Sequence, residues 1–228
     1  MENHSVVLGV INLEHEMKVH RFTFNDFAEN TYVLWDETGD CVIIDPGCNN
    51  ELERKELSNF IDSNNLKPVG LINTHCHIDH VLGNDYVNRR YNLPLQSHKD
   101  EQSVLESCEV VSKMYGIPYT PSPSISVFLK EGDKLEFGNT SLEIFFTPGH
   151  SPASISFYHA PTNTLIAGDV LFQMSIGRTD LPGGDFDTLA ESIRQNFYVL
   201  PDETIVYPGH GPQTSIGFEK ANNPFVKS

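Results

Sequence analysis

The sequence predicts a protein of the α/β (α+β) class: a four-layer αββα sandwich, with two mixed β-sheets packed face to face and helices on their outer sides. Three observations lead there. Short apolar strands separated by turn residues alternate with amphipathic helical stretches. The second half of the chain repeats the first in outline, and no linker is long enough to divide it. With 228 residues the chain can bury a sizeable core without disulfides, and residues 1–228 read as one domain.

The elements follow in order. Residues 1–16 are poorly patterned and read either as an extra hairpin strand or as an N-terminal extension before a true start at Met17. Residues 19–24, 31–35 and 41–45 read as successive antiparallel strands, with Glu37-Thr38-Gly39-Asp40 as a hairpin turn. A helix begins near Asn50, where Asn50 and Glu53 have capping-box spacing and Leu57, Phe60 and Ile61 form an apolar face. A buried strand over 69–73 runs into a histidine cluster, followed by helices at about 81–91 and 99–115 with a short strand at 95–97 between them. After the proline-rich link 117–123, strands are predicted at 125–129, 134–137, 141–146, 154–159 and 164–168. A helix at 187–199 buries Leu189, Ile193, Phe197 and Leu200, and a last strand at 204–207 leads into a short C-terminal segment.

Composition narrows the function classes. Lysine and arginine total 15 against 31 acidic residues, a formal charge of −16. Such a surface repels nucleic acid and anionic membrane, and no basic stripe offsets it, so neither is an expected partner. Bound divalent cations would reverse the sign locally, which keeps a small anionic substrate compatible. The cysteines Cys41, Cys48, Cys76 and Cys108 form no CxxC pair and no secreted-type framework. The start lacks a basic n-region, and no apolar stretch approaches membrane-spanning length. The expectation is a soluble, cytoplasmic protein.

The segment His75-Cys76-His77-Ile78-Asp79-His80 carries most of the chemistry. In an extended loop His75 and His77, two residues apart, aim at one ion, while Asp79 and His80 aim at a second. Imidazole and carboxylate donors suit zinc, iron and manganese. Three further positions share a local grammar: His150 follows Thr147-Pro148-Gly149, Asp169 follows Ile166-Ala167-Gly168, and His210 follows Tyr207-Pro208-Gly209. Each ends a predicted strand after a glycine that permits a tight turn. Asp45, at the end of Val42-Ile43-Ile44, serves either to orient a ligand histidine from behind or to hold its turn. Cys76 is read as packing, and His4, His15, His20, His98 and His159 as structural or surface residues.

The 75–80 run matches the HxHxDH motif of the metallo-β-lactamase fold superfamily, and His150, Asp169 and His210 match its later metal-binding positions in order. The chain resembles that superfamily from about residue 18 onward. The resemblance implies a metallo-β-lactamase-type sandwich with His75, His77 and His150 on one metal, Asp79, His80 and His210 on a second, and Asp169 bridging. It implies two divalent ions, zinc first, with iron or manganese accepted by the same donors. Asp79 doubles as the candidate catalytic residue.

Chemistry at two ions about 3.5–4 Å apart is hydrolysis by a shared, acidified water on a polarised acyl carbonyl. A thioester suits it, because a thiol of pKa about 8.5 departs as thiolate without a strong general acid, and the motif holds no spare carboxylic acid. The stretch from Ser175 to Gly184 is too polar and glycine-rich for core. It resembles the corresponding stretch of glyoxalase II-like enzymes and of persulfide dioxygenases, with Arg178 a candidate to meet a substrate carboxylate. The leading expectation is a glyoxalase II-like thioesterase acting on a hydroxyacyl thioester such as hydroxyacylglutathione. Only a short tail follows His210, where the larger glyoxalase II enzymes carry a helical domain that helps bind glutathione. The chain therefore resembles the short single-domain subgroup, whose thiol carrier need not be glutathione. The alternative is a mononuclear-iron persulfide dioxygenase using His75, His150 and Asp169, which leaves His77, Asp79, His80 and His210 without a metal duty. A nucleic-acid enzyme conflicts with the charge, and a β-lactamase is disfavoured because its usual second metal site differs from the Asp79–His80 pair.

Overall fold

The computed structural model describes residues 17–227. Both readings of residues 1–16, and with them His4 and His15, lie outside the described residues. The first sheet contains β1 (Lys18–Phe24), β2 (Glu29–Trp35), β3 (Asp40–Ile44), β4 (Lys67–Ile72), β5 (Leu95–Ser97) and β6 (Ile125–Phe128), in that order. Its first three strands are antiparallel and the rest join in parallel. The second sheet runs β7 (Lys134–Phe137), β8 (Thr140–Phe146), β9 (Ile155–His159), β10 (Thr164–Gly168), β13 (Ile205–Pro208) and β14 (Thr214–Ser215). It too is antiparallel through its first strands and parallel at the β10–β13 step. That is the physical content of the repeat visible in the sequence.

Alternation along the strands makes three hydrophobic layers. Tyr32, Leu34, Val42, Ile44 and Ile72 point inward from the first sheet and meet Leu142, Ile144, Phe157 and Ile166 from the second. Their odd-numbered neighbours, such as Val33, Cys41, Ile43 and Leu71, face the opposite way. That outer face is covered by α1 (Glu51–Ser63), α2 (Ile78–Val81), α3 (Asn84–Tyr91) and α4 (Gln102–Tyr115), which contribute Leu57, Ile61, Val81, Val87 and Leu105. The outer face of the second sheet is covered by α5 (Phe186–Ser192) and α6 (Ile216–Asn222) through Leu189, Ala190 and Ile216. Strands apolar on both faces are what a four-layer sandwich requires. Among the described residues no helix is long and apolar enough to cross a membrane.

The α1 start is the predicted capping box, with Asn50 accepting from the Glu53 amide and Glu53 reaching back. Other boundaries move. The helix expected from residue 81 begins at Ile78, so Asp79 and His80 sit on one helical turn rather than in an extended loop. The chain then breaks at Gly83, where a Cβ would lie 2.6 Å from both Cys48 Sγ and the Pro46 carbonyl oxygen. The helix expected over 187–199 becomes α5 plus a widened turn over Ile193–Phe197, which still buries Ile193 and Phe197. A small hairpin, β11 (Leu171–Phe172) and β12 (Ser175–Ile176), falls between the predicted strand 164–168 and helix 187–199 and reaches into the Ser175–Gly184 stretch, and β14 and α6 fall inside the C-terminal segment. Strands of two residues leave no period to read.

Candidate metal centre

Five strand ends supply the site. Asp45 follows β3, the 75–80 run follows β4, His150 follows β8, Asp169 follows β10 and His210 follows β13. Backbone hydrogen bonds join these ends within and across the two sheets: Gly209 N donates to Gly168 O at 2.9 Å within the second sheet, and Ile155 N to Thr74 O at 2.9 Å and Asn30 N to Gly209 O at 2.7 Å between the sheets. The glycines before the donors serve different needs. Gly168 has φ +55° and takes the left-handed turn, whereas Gly209 is needed for space. A Cβ at Gly209 would lie 2.0 Å from Asp169 Oδ1 and 2.8 Å from His80 Cε1. Gly209→Ala is therefore expected to displace both donors and to lower turnover about 100-fold or more. Metal analysis and kinetics, with far-UV circular dichroism to show that the fold persists, would test this.

The seven predicted donors come together as two trios. His75, His77 and His150 place ligating atoms within 4.8 Å of one another, as do Asp79, His80 and His210. Asp169 lies between the trios. Its Oδ2 is 3.5 Å from His150 Nε2 and 3.5 Å from His210 Nε2, and its Oδ1 is 3.4 Å from His80 Nε2. His210 Nε2 is also 3.1 Å from Asp79 Oδ2, and His77 Nδ1 is 2.9 Å from His150 Nε2.

The second nitrogen of most rings is held from behind. His150 Nδ1 lies 2.8 Å from the Arg178 carbonyl oxygen, and His210 Nδ1 lies 3.1 Å from that of Phe27. A carbonyl only accepts, so in both rings Nδ1 carries the hydrogen and Nε2 turns a lone pair toward the centre. His80 Nδ1 lies 3.2 Å from Asp45 Oδ2 and His75 Nδ1 lies 3.1 Å from Thr74 Oγ1. Asp45 adopts φ +50°, and its carboxylate also accepts from Thr74 N at 2.7 Å and Thr74 Oγ1 at 2.6 Å. Its geometry thus engages the turn and the ring together. His75 Nε2, His80 Nε2 and Asp169 Oδ1 are buried without any hydrogen-bond partner among the described residues. Burying such atoms unpaired is costly, and lone pairs converging on one another are what cations satisfy. The donor set therefore fits divalent metal.

The electrostatics agree. Burial, with neighbouring His80, His77 and His150, drives the His75 ring well below its ordinary value. Burial and His150 lower His77 to about 4. Both rings are kept neutral, as ligands must be. Burial opposes charge on Asp169, but the surrounding His80, His150 and His75 hold its carboxyl well below its usual range. Against burial, Asp169 and Asp79 raise His80 strongly. This side of the cluster carries the excess negative charge that a second cation would neutralise.

A cleft of about 860 Å³ opens over the donors. Its walls are the α4 side chains Val104, Val111, Met114 and Tyr115, and the hairpin and loop residues Phe172, Ile176, Leu181 and Pro182. The Ser175–Gly184 stretch borders the cleft, but the Arg178 guanidinium is paired with Asp180 through two 2.7 Å bonds. Cys76 is fully buried in the outer apolar layer. His20 stacks on Phe60, His98 caps a 3₁₀ turn and His159 bonds Thr162, all away from the donors.

Glu101 carried no motif. It is fully buried and accepts from Cys76 N at 2.8 Å, Ala153 N at 2.9 Å and Ser151 Oγ at 2.5 Å. It joins the loop of His75 and His77 to that of His150. Only its place at the start of a helix beside the motif could have marked it.

Comparison with known proteins places this geometry. A family model described as the metallo-beta-lactamase superfamily matches residues 24–210. The chain is 36% identical over 212 residues to the probable metallo-hydrolase YqgX of Bacillus subtilis, covering 92% of this chain and 98% of that one. It is 35% identical over 219 residues to hydroxyacylglutathione hydrolase GloC of Haemophilus influenzae, covering 93% and 99%. Among solved structures it is similar to the BLEG-1 B3 metallo-beta-lactamase, with TM-score 0.85, 36% identity and coverage of 92% and 100%. It is also similar to TTHA1623 in a di-iron-bound form, with TM-score 0.82, 34% identity and coverage of 91% and 100%.

Proposed function

Because the chain belongs to the metallo-beta-lactamase superfamily, as a metal-dependent hydrolase of that fold, we propose that it is a binuclear thioesterase cleaving hydroxyacyl thioesters. The observation that carries this reading is the pair of donor trios sharing Asp169 at the floor of a cleft whose lining, among the described residues, adds no further carboxyl group. Two divalent ions held there, zinc foremost, would supply an acidified water, of pKa about 7, and a Lewis acid for the acyl oxygen. His75, His77 and His150 would hold one ion, and Asp79, His80 and His210 the other. Asp169 would touch both and fix their separation.

The chain's own groups account for the rest. Arg178 O and Phe27 O fix the tautomers of His150 and His210, so each ring presents a lone pair without rearrangement. Asp79 sits where the second trio meets the cleft and is the candidate catalytic carboxylate beside the reacting carbonyl. Among the described residues, the cleft lining holds no carboxyl outside the ligand set to protonate a departing group. A thiol of pKa about 8.5 leaves without one, whereas the amine of a β-lactam needs a proton. The name of the Haemophilus relative supports the thioester reading, and the di-iron form of TTHA1623 supports a centre of two metals, iron included. His77, Asp79, His80 and His210 converge on the same centre, which favours two ions over the three-ligand mononuclear iron of a dioxygenase.

Metal analysis and a substrate panel test the proposal. About two ions per chain are expected, with hydrolysis of 2-hydroxyacyl thioesters, no oxygen uptake with a persulfide, and loss of turnover on chelation. One ion together with persulfide-dependent oxygen consumption would overturn it.

A further inference from the structure

Resting on the thioesterase reading, we infer that the enzyme recognises its substrate by an uncharged, apolar arm lying against α4, and not by the charged peptide of a glutathione conjugate. The cleft runs continuously from the donors along one face of α4. Val104, Ser107, Val111 and Met114 recur there at helical spacing, opposite Phe172 and Leu181. Met114 and Tyr115 are 77% and 59% exposed. Large side chains left this open beside a reaction centre form a ready surface for apolar ligand atoms.

Charge argues the same way. A glutathione thioester brings two carboxylates and an ammonium group. Apart from the ligand set, Arg178 is the one charged residue in the lining among the described residues, and the Nε–Nη2 edge of its guanidinium is already paired with Asp180. The chain as a whole carries a formal charge of −16. Nothing in the lining compensates a second carboxylate, so a charged carrier would give up solvation for no partner. An aliphatic chain gives up nothing. The arm can belong to either side of the scissile bond, and the two sides are separable.

The test uses the metal-loaded, full-length protein and two ester series. One holds the acyl group at 2-hydroxypropanoyl and varies the thiol from glutathione and N-acetylcysteamine to butane- and hexanethiol. The other holds N-acetylcysteamine and lengthens the 2-hydroxyacyl chain. Non-hydrolysable thioether analogues of both series are titrated calorimetrically for Kd. Each added methylene is expected to raise kcat/KM and tighten Kd about two- to fourfold in the series whose arm meets α4, with the glutathione ester the poorest substrate. Met114→Glu should flatten that slope while metal content stays at its wild-type value. A preference for the glutathione ester, or zero slope in both series, overturns the inference while leaving the thioesterase reading intact. Retained slope in the thioether titrations with no thioester hydrolysed overturns the thioesterase reading and leaves the apolar cleft standing.

Discussion

Replacing Asp169 with alanine is expected to lower kcat by about 10³-fold or more and to remove at least one equivalent of bound metal. The reason is its position between the trios, within 3.4–3.5 Å of His80, His150 and His210. A carboxylate so placed would help hold both cations, and the Lewis-acid stabilisation they would supply is of the order of several kcal/mol. Asp169→Asn keeps the volume but loses the charge that offsets the second cation, so it should bind metal better than alanine yet recover little turnover. His77→Ala removes a donor from one trio only. It should leave the other trio's ion in place, and metal stoichiometry would separate the two variants. Full activity in metal-free protein, or wild-type metal content in Asp169→Ala, would sink the assignment.

The donors were legible because their signal is local and repeated. Three histidines and an aspartate within six residues mark one centre, and a strand followed by glycine and a donor recurs at His150, Asp169 and His210. The two sheets were legible for a related reason. Strands covered on both faces read as short apolar runs, such as Cys41 to Ile44, whose alternate residues feed separate layers. What could not be read depends on groups meeting across the fold. Asp79 and His80 share a helical turn where the chain packs at Gly83 against Pro46 and Cys48, 37 and 35 residues away in sequence. Gly209 looks like any turn glycine until Asp169 is placed beside it. The cleft wall on α4 is hidden in the helical period itself, since Val104 and Val111 satisfy a core pattern as readily as a binding surface. Arg178 is conspicuous as a cation, yet its pairing with Asp180 and the hydrogen bond its carbonyl accepts from His150 Nδ1 are invisible before folding.

Glu101 makes the same point with a large expected effect. Its carboxylate accepts two backbone amides and a hydroxyl, from Cys76, Ala153 and Ser151, in the fully buried space between two ligand loops. Glu101→Ala would leave those donors buried and unpaired, and hydrogen bonds to a charged acceptor contribute about 1.5–3 kcal/mol each. A loss of about 3–5 kcal/mol in unfolding free energy is expected, together with weaker metal binding as the two loops separate. Glu101→Gln separates stability from positioning. It keeps the volume and one acceptor oxygen but turns an amide donor toward groups that already donate, so metal affinity should fall about 10–100-fold with a smaller drop in Tm. The acid also leaves a mark in pH. Burial pushes its pKa above the ordinary 4.5, although Ser151, Cys76 and Ala153 pull it down. The folded state therefore holds this proton more firmly than the unfolded chain does. The corresponding share of stability is present below 4.5 and is lost as pH rises through the elevated value. Glu101→Gln has no such proton, so the difference in unfolding free energy between wild type and variant should shrink across that interval. Chemical denaturation of the metal-free proteins at several pH values would measure it. A constant difference would show that Glu101 is equally ionised in both states, and a growing one that its three donors outweigh its burial.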